Sequence, residues 1–451
     1  MKKFAQKIMD IWSHKELRNK ILITLGFLLI YRVGCYIVIP GVDQQEVARQ
    51  WQNLSGDGGF NITDLLSLFT GGAFTTASIF ALGIMPYISA SIIMQLMGIA
   101  VPTIQKMQKE GESGRKKINQ WTRFLTIAIC LVQSPGYVLS TIPETARPSE
   151  SFWLIAAVAI LTGSTLFIMW LGEKITDKGI GNGISMLIMI GIIASFPQSL
   201  FQEAIHPESS FFFLMVELAA FFVVIGASVA LVQAVRRVPV QMARMNIGNQ
   251  GMPTGEDARR YIPLRVNASG VMPIIFAQAI MFVPLYLQQT ETFQDSAFIQ
   301  EMADFYGLWY NVVFFVMIVI FTYFYTAITV NPNQIADDLK RQGSFVPGIK
   351  PGRPTAEFLD NILSRVTLPG SLFLALIAVL PAIVMYVGLT KAQQFSIFFG
   401  GTSLLIMVGV ILDTLQQIDS HLLSRHYEGL MKTGKMRGKA AAVGGIGGIG
   451  I

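Results

Sequence analysis

The chain has 451 residues, 52% of them hydrophobic and only 14% charged, with a formal net charge of +6. Soluble globular proteins carry about 25% charged residues, and the apolar residues here fall in long blocks, which excludes a soluble enzyme and a single-span receptor. About 20 apolar residues cross a bilayer core of about 30 Å, and ten such stretches are present, so the sequence predicts an all-α polytopic membrane protein.

The first 20 residues are polar, with Lys2, Lys3, Lys7, Asp10, Lys15, Glu16, Arg18 and Lys20. The apolar stretch after them is too long for a signal-peptide core and has no small-residue cleavage site, so no cleavable leader is expected. The first span is predicted at 21–39 and carries Arg32 and Cys35. Residues Phe60–Thr76, FNITDLLSLFTGGAFTT, do not fit a span, because one or two apolar turns are interrupted by an Asp and by Gly71–Gly72. Backbone broken at membrane depth is tolerated only where protein or a water-filled cavity surrounds it. The segment therefore reads either as a re-entrant, plug-like element or as an external amphipathic loop.

The second, third and fourth spans are predicted at 76–100, 122–142 and 153–172. Gly179, Gly181 and Gly183 then crowd the connection LGEKITDKGIGNGIS. No strand precedes them and no Lys-Ser/Thr follows, so a tight turn into a helix is expected rather than a phosphate-binding loop. The remaining spans are predicted at 184–202, 211–233, 270–288, 310–330, 368–388 and 397–417. The connections 234–267 and 331–366 are long and rich in Arg, Pro and Gly. Loops beyond about 15 residues in a compact protein are usually functional.

Sorting the connections alternately by side places 30 of the 34 basic residues with the two termini. The other side holds Arg49, Arg147 and Lys391 together with acids such as Asp43, Glu46, Asp57, Asp64, Glu291, Asp295, Glu301 and Asp304. By the positive-inside rule both termini are expected in the cytoplasm, and topology has the first claim on a pI near 9.2. Inside the spans the evident ionisable residues are Arg32 and Glu217, with Asp413 toward the end of the last. An ion-coupled transporter would place several carboxylates or histidines near the midplane. A catalytic membrane protein would need a nucleophile–base pair or metal ligands. Neither pattern is visible. Cys35 and Cys130 lie in separate spans, outside any CxxC, and read as small buried hydrophobes. Whatever passes through this protein is not selected by charge.

Seven stretches, taken together and in order, carry a resemblance. They are SIFALGIMPYISASIIMQL (78–96), KEGESGRKKINQWTR (109–123), WLGEKITDKGIGNGIS (170–185), PLRVNASGVMPIIFA (263–277), NPNQIADDLKRQGSFVPGIKPGRPT (331–355), FGGTSLLI (399–406) and RHYEGLM (425–431). The chain resembles the SecY family, the pore-forming subunits of bacterial protein translocation channels. The resemblance implies two pseudo-symmetric five-helix halves, 1–202 and 203–417, followed by a tail at 418–451. They would clasp an hourglass pore and hinge between the fifth and sixth spans. It settles the 60–76 segment as a plug helix, with Ile62, Leu65, Leu66, Phe69, Gly71 and Gly72. It carries the pore ring onto Ile84, Ile88, Ile184, Ile188, Ile275 and Ile406. A collar of branched aliphatic side chains excludes water and ions by dewetting, yet makes no hydrogen-bond demand on a passing chain. The pairs Ile84/Ile88 and Ile184/Ile188 are spaced to share a helix face.

By the same resemblance the lateral gate lies between spans two and three on one side and seven and eight on the other. Gln133 and Asn267 are its polar residues. The two long loops would dock the SecA motor and the ribosome through Arg236, Arg237, Arg244, Arg259, Arg260, Arg265, Lys340, Arg341, Lys350 and Arg353. SecE and SecG would be channel subunits, signal sequences and nascent chains the substrates, and membrane lipids the receiving phase for apolar segments. No cofactor or catalytic activity is implied, and the expected location is the bacterial inner membrane. The chain departs from the family in one place: VPGIKPG stands where IPGIRPG is common, so Lys350 replaces an arginine and its planar fork. The Gly-rich end, AAAVGGIGGIGI, reads as a flexible tail. Two rivals are a secondary transporter with a helix broken near residue 71, which predicts saturable small-molecule flux, and a membrane scaffold that conducts nothing.

Overall fold

The computed structural model describes residues 12, 14–49, 67–148, 151–205, 211–242, 260–267, 270–288, 301–302, 304–390 and 393–432. Ile62, Leu65, Leu66, Arg244, Arg259 and the Gly-rich end lie outside them. The elements, in chain order, are α1 (Lys15–Gly34), α2 (Met85–Ala100), α3 (Pro102–Lys109), α4 (Glu112–Thr141), α5 (Ser151–Lys178), α6 (Gly183–Ile205) and α7 (Phe211–Gln233). After them come β1 (Val235–Met242), β2 (Arg260–Arg265), α8 (Met272–Gln288), α9 (Leu308–Thr329), α10 (Pro332–Arg341), β3 (Ser344–Phe345), α11 (Arg353–Val387) and α12 (Gly401–Lys432).

Among the described residues, seven helices are individually long and apolar enough to cross a bilayer, and α2 with α3 makes an eighth if that pair, bent by 102°, counts as one span. The bend follows from sequence: Val101 precedes Pro102, which pushes Val101 out of helical geometry to φ −108° and ψ 112°. The remaining two, α1 and α8, are limited by charge at the start of one (Lys15, Glu16, Arg18, Lys20) and by the 17-residue length of the other. Ten spans are consistent with this set.

Two predicted spans are shorter than expected. The first helix ends at Gly34 rather than 39, and the second begins at Met85 rather than 76. The two differences have one cause. Residues 37–39 leave the helix to pair with the turn-rich segment before α2: Ile39 N–H donates to Ala77 O at 3.0 Å and Ile79 N–H to Ile37 O at 2.8 Å. Gly83 takes the left-handed φ of +54° just before α2 at little cost. Of the expected plug segment, residues 67–76 are described: 67–70 are helical and turns follow from Gly71, with Leu68, Phe69, Ala73 and Phe74 all buried.

Helix packing falls into two groups. In the first, α2 packs on α4, α4 on α5, and α5 on α1 and α6; in the second, α8 packs on α9, α9 on α11, and α12 on α7 and α11. The groups meet chiefly where α6 packs on α12. The glycine turn before α6 fastens that seam. Gly181 sits at φ +83°, its N–H donates to Gln417 Oε1 of α12 at 2.9 Å, and Ile180 N–H donates to Thr24 Oγ1 of α1 at 3.0 Å. A Cβ on Gly183 would collide with the Gly172 carbonyl of α5. Gly183→Ala should therefore destabilise the fold by about 1–3 kcal/mol, as overpacking does. The check is its unfolding midpoint in detergent, where a value equal to wild type would mean that α5 and α6 separate without cost.

The helical architecture stands as expected, and the two long connections add a small element to it. The two long connections build an antiparallel sheet of order β2-β1-β3, with Arg236 opposite Leu264 and Gln241 opposite Phe345. Buried Val238, Leu264, Val346, Leu359 and Leu363 form one small core beneath it, drawing residues from both connections. The α11 helix begins at Arg353, inside what sequence reads as loop. The last helix also runs unbroken to Lys432, through the 417/418 boundary of the expected tail.

Candidate functional site

The six isoleucines singled out in sequence come from four helices. Ile84 caps α2 at φ −98°, ψ 0°, and its carbonyl accepts from Ile88 N–H at 3.1 Å, so the pair is stacked one turn apart. Ile184 and Ile188 occupy the first turns of α6, started by Asn182, whose Oδ1 accepts from Ile184 N–H at 3.1 Å. Ile275 follows Pro273 in α8, and Ile406 lies in the second turn of α12. All six belong to one apolar cluster: Ile84, Ile188 and Ile406 are buried within it, and Ile88, Ile184 and Ile275 pack against it half-buried. Since α2 and α6 belong to one packing group and α8 and α12 to the other, the cluster bridges both.

Leu68 and Phe69 of the short helical stretch at 67–70, and Ala73 of the turns after it, join the same cluster. Gly71 and Gly72 follow Phe69 at φ +64° and +89°, a left-handed pair that glycine alone adopts cheaply. Sequence reasoning missed the aromatic part. Phe395, Phe398 and Phe399 are fully buried there, with Phe196 of α6 edge-on to Phe398 at 5.2 Å and Phe395 edge-on to Phe399 at 5.4 Å. Their clustering at the start of the predicted last span, 397–417, was the available signal.

The polar candidates are set apart. Gln133 is half-buried on α4, and Asn267 is buried just ahead of α8. Among the described residues no closely packed helix pair joins α2 or α4 to α8 or α9.

The basic candidates gather on the sheet unit. Arg236 and Arg237 are exposed on β1, and Arg237 lies over the Tyr261 ring at 4.9 Å. Arg260 lies on β2. Arg265 donates to Gln416 Oε1 of α12 at 3.1 Å. Lys340 and Arg341 end α10, where cations complement the helix dipole. Lys350 is exposed in the turn between Gly348 (φ +82°) and Gly352 (φ +100°), and its carbonyl accepts from Thr355 Oγ1 at 2.9 Å. Arg353 pairs instead with Glu357 at 3.3 Å along its own helix, with both side chains largely exposed. Among the described residues no group of three or more His, Cys, Asp or Glu could hold a metal, and Cys35 and Cys130 are buried free thiols.

Comparison with known proteins decides the family. The SecY family model matches residues 78–415. The protein translocase subunit SecY of Streptomyces coelicolor is 40% identical over 438 residues, covering 92% of this chain and 97% of that protein. The chain belongs to the SecY family. A solved structure described as "The structure of a protein conducting channel" aligns with TM-score 0.58 at 16% identity over 89% of this chain and 91% of that one. The idle yeast Ssh1 complex bound to the 80S ribosome aligns with TM-score 0.60 at 14% identity, over 88% and 89%. At those identities the likeness is one of fold.

As a SecY-family chain, this is a multi-pass membrane protein, a translocase subunit with the fold of a protein-conducting channel. Its isoleucine cluster lies where the two helix groups of that fold face each other. The lysine at position 350 stands exposed at the tip of a glycine-bounded turn. Arg353, three residues on, is engaged with Glu357.

Proposed function

We propose that the six-isoleucine cluster is the constriction through which unfolded secretory polypeptides cross the membrane, and that apolar segments leave sideways through the seam between α2/α4 and α8/α9. The observation that carries this is the convergence of Ile84, Ile88, Ile184, Ile188, Ile275 and Ile406 from both helix groups on one cluster. A narrow aliphatic collar sheds water, so ions are refused when no chain is present. It holds no fixed donor or acceptor, so any side chain can slide past it. A signal core of about 7–15 apolar residues enters the seam because lipid solvates it better than water.

The basic sheet unit is then the cytoplasmic docking face, with both termini on that side. SecA supplies force by ATP hydrolysis, or the ribosome by chain elongation. Ribosomal RNA phosphates suit exposed Lys and Arg, and the fold of the ribosome-bound Ssh1 complex supports the same use here. SecE would brace the two halves from outside, SecG would complete the complex, and this subunit would perform no chemistry itself. The test is reconstitution with SecE and SecA in liposomes. An unfolded precursor becomes protease-protected, whereas the same precursor locked in a folded state does not. Protection of the locked form would contradict a narrow collar.

Asn267 gives a second, separable expectation. An interhelical hydrogen bond in lipid contributes roughly 0.6–2 kcal/mol, enough to bias a closed seam that a signal can still open. Asn267→Leu should shift the open–closed balance about 3- to 30-fold and change which weak signal sequences are accepted. Unaltered signal stringency in an export assay would remove Asn267 from the gate.

A further inference from the structure

Arg32 is the cation of the first span, and the pore reading leaves it without a task. Its Nη1 donates to the carbonyl of Gly71 at 3.1 Å, while its Nη2 donates to the Tyr36 hydroxyl at 3.2 Å. The Tyr36 ring lies 5.5 Å from the guanidinium. Among the described residues no carboxylate forms an ion pair with it. A guanidinium at this depth is costly unless its donors are used, and a turn carbonyl at this depth is costly unless it is accepted upon. Each group answers the other's need.

The same turn is also closely approached by α6. A Cβ on Gly191 would come within 2.5 Å of Phe69 O and 3.3 Å of Gly71 N. A Cβ on Gly71 would come within 3.0 Å of Gly191 Cα and would strike the Arg32 guanidinium. Two weaker ties complete the grip: Tyr137 of α4 donates its hydroxyl to Phe74 O at 2.7 Å, and Cys35 Sγ lies 3.8 Å from Thr70 O. Carbonyls of Thr70, Gly71 and Phe74 are thus held from three different side chains, while the backbone pairing at Ala77–Ile79 anchors the far end of the segment.

We propose that Arg32 and Gly191 form a clasp that seats the Phe69–Phe74 turn against the isoleucine cluster, and that this clasp sets how readily the segment leaves the pore. Gly191 lies three residues after Ile188, on the same face of α6. A chain that wedges the cluster open and displaces α6 therefore draws Gly191 away from Phe69 O in the same movement. The Arg32 bond still holds the turn at that point, and it breaks when the carbonyl of Gly71 finds water in the widened pore. The proposal rests on the channel reading given above.

Cys35, buried beneath the turn at 3% exposure, is a built-in reporter of seating, and Cys130, fully buried in α4, reports the rest of the bundle. The experiment labels the full channel in its complex with a membrane-impermeant maleimide, and in parallel measures export of a precursor with a defective signal. Arg32→Met should accelerate labelling of Cys35 about tenfold or more, the scale of one charged hydrogen bond, and Gly191→Ala should accelerate it too, by pushing Phe69 O away, with Cys130 still protected in both. Arg32→Lys, which keeps a donor, should fall between them and wild type. Cys35 labelling at the wild-type rate in both Arg32→Met and Gly191→Ala would overturn the clasp. So would equal exposure of Cys130, since Arg32 would then support the bundle at large. Faster Cys35 labelling with unchanged rejection of the defective signal would uphold the clasp and count against the channel role of the segment.

Discussion

Serine in place of Ile84, Ile188 and Ile406 together should convert a sealed channel into an ion leak. The three side chains are buried in the cluster, at 6%, 7% and 5% exposure, and come from three helices. Each replacement removes branched aliphatic surface and installs a hydroxyl that holds water. Dewetting fails once a continuous file of water can cross the collar. Conductance across a planar bilayer should rise about tenfold or more, equivalent to removing about 1.4 kcal/mol from the barrier. Truncating a buried isoleucine costs about 2–5 kcal/mol, so the triple variant also loses stability, and its folded fraction has to be measured alongside. Valine at the same three positions separates the effects: the collar stays aliphatic, the cost is about 0.5–1.5 kcal/mol per site, and the seal should hold. A serine variant that folds and stays as tight as wild type would remove these residues from the constriction.

Removing charge from the sheet unit should act on partner binding and leave the membrane domain untouched. Lys340, Arg341 and Lys350 are exposed, and among the described residues none of them belongs to an ion pair, so glutamine at all three should change stability by little, about 0.5 kcal/mol or less. If each contacts a ribosomal phosphate, its loss lowers the steepness of log affinity against log salt by about 0.7–0.9. The triple variant should therefore bind ribosomes more weakly at low salt, with a slope shallower by about 2–3. Binding measured across a salt series reads both quantities. A slope identical to wild type would place the docking contacts elsewhere.

What was legible in sequence, and what was not, divides along physical lines. Long apolar blocks announce spans because nothing else tolerates them, and the helix centres fall where hydropathy puts them. Span ends were harder: residues 35–39 and 76–84 are apolar enough for helix, but they pair with each other through Ile39–Ala77 and Ile79–Ile37, a long-range choice that local composition does not contain. The sheet was hidden for the same reason. Pro239 and Pro263 sit within its strands and argue against strand locally, while the core formed by Val238, Leu264, Val346, Leu359 and Leu363 joins connections almost a hundred residues apart. The tight turn at Gly179–Gly183 could be read directly, because glycine spacing before a helix has few structural meanings. The isoleucines could not: an isoleucine in a span is ordinarily packing, and only family resemblance raised these six. Gly191 carried no signal at all, since a close approach shows only when both backbones are in place.

The central claim is that a secretory chain threads the isoleucine cluster. The direct measurement places a photo-crosslinking residue at Ile84, Ile275 or Ile406, in membranes carrying a stalled secretory chain. Crosslinks from all three positions, each lost when the signal sequence is deleted, are the predicted result. A stalled chain that is demonstrably engaged yet crosslinks at none of them would contradict the account and return the cluster to ordinary packing.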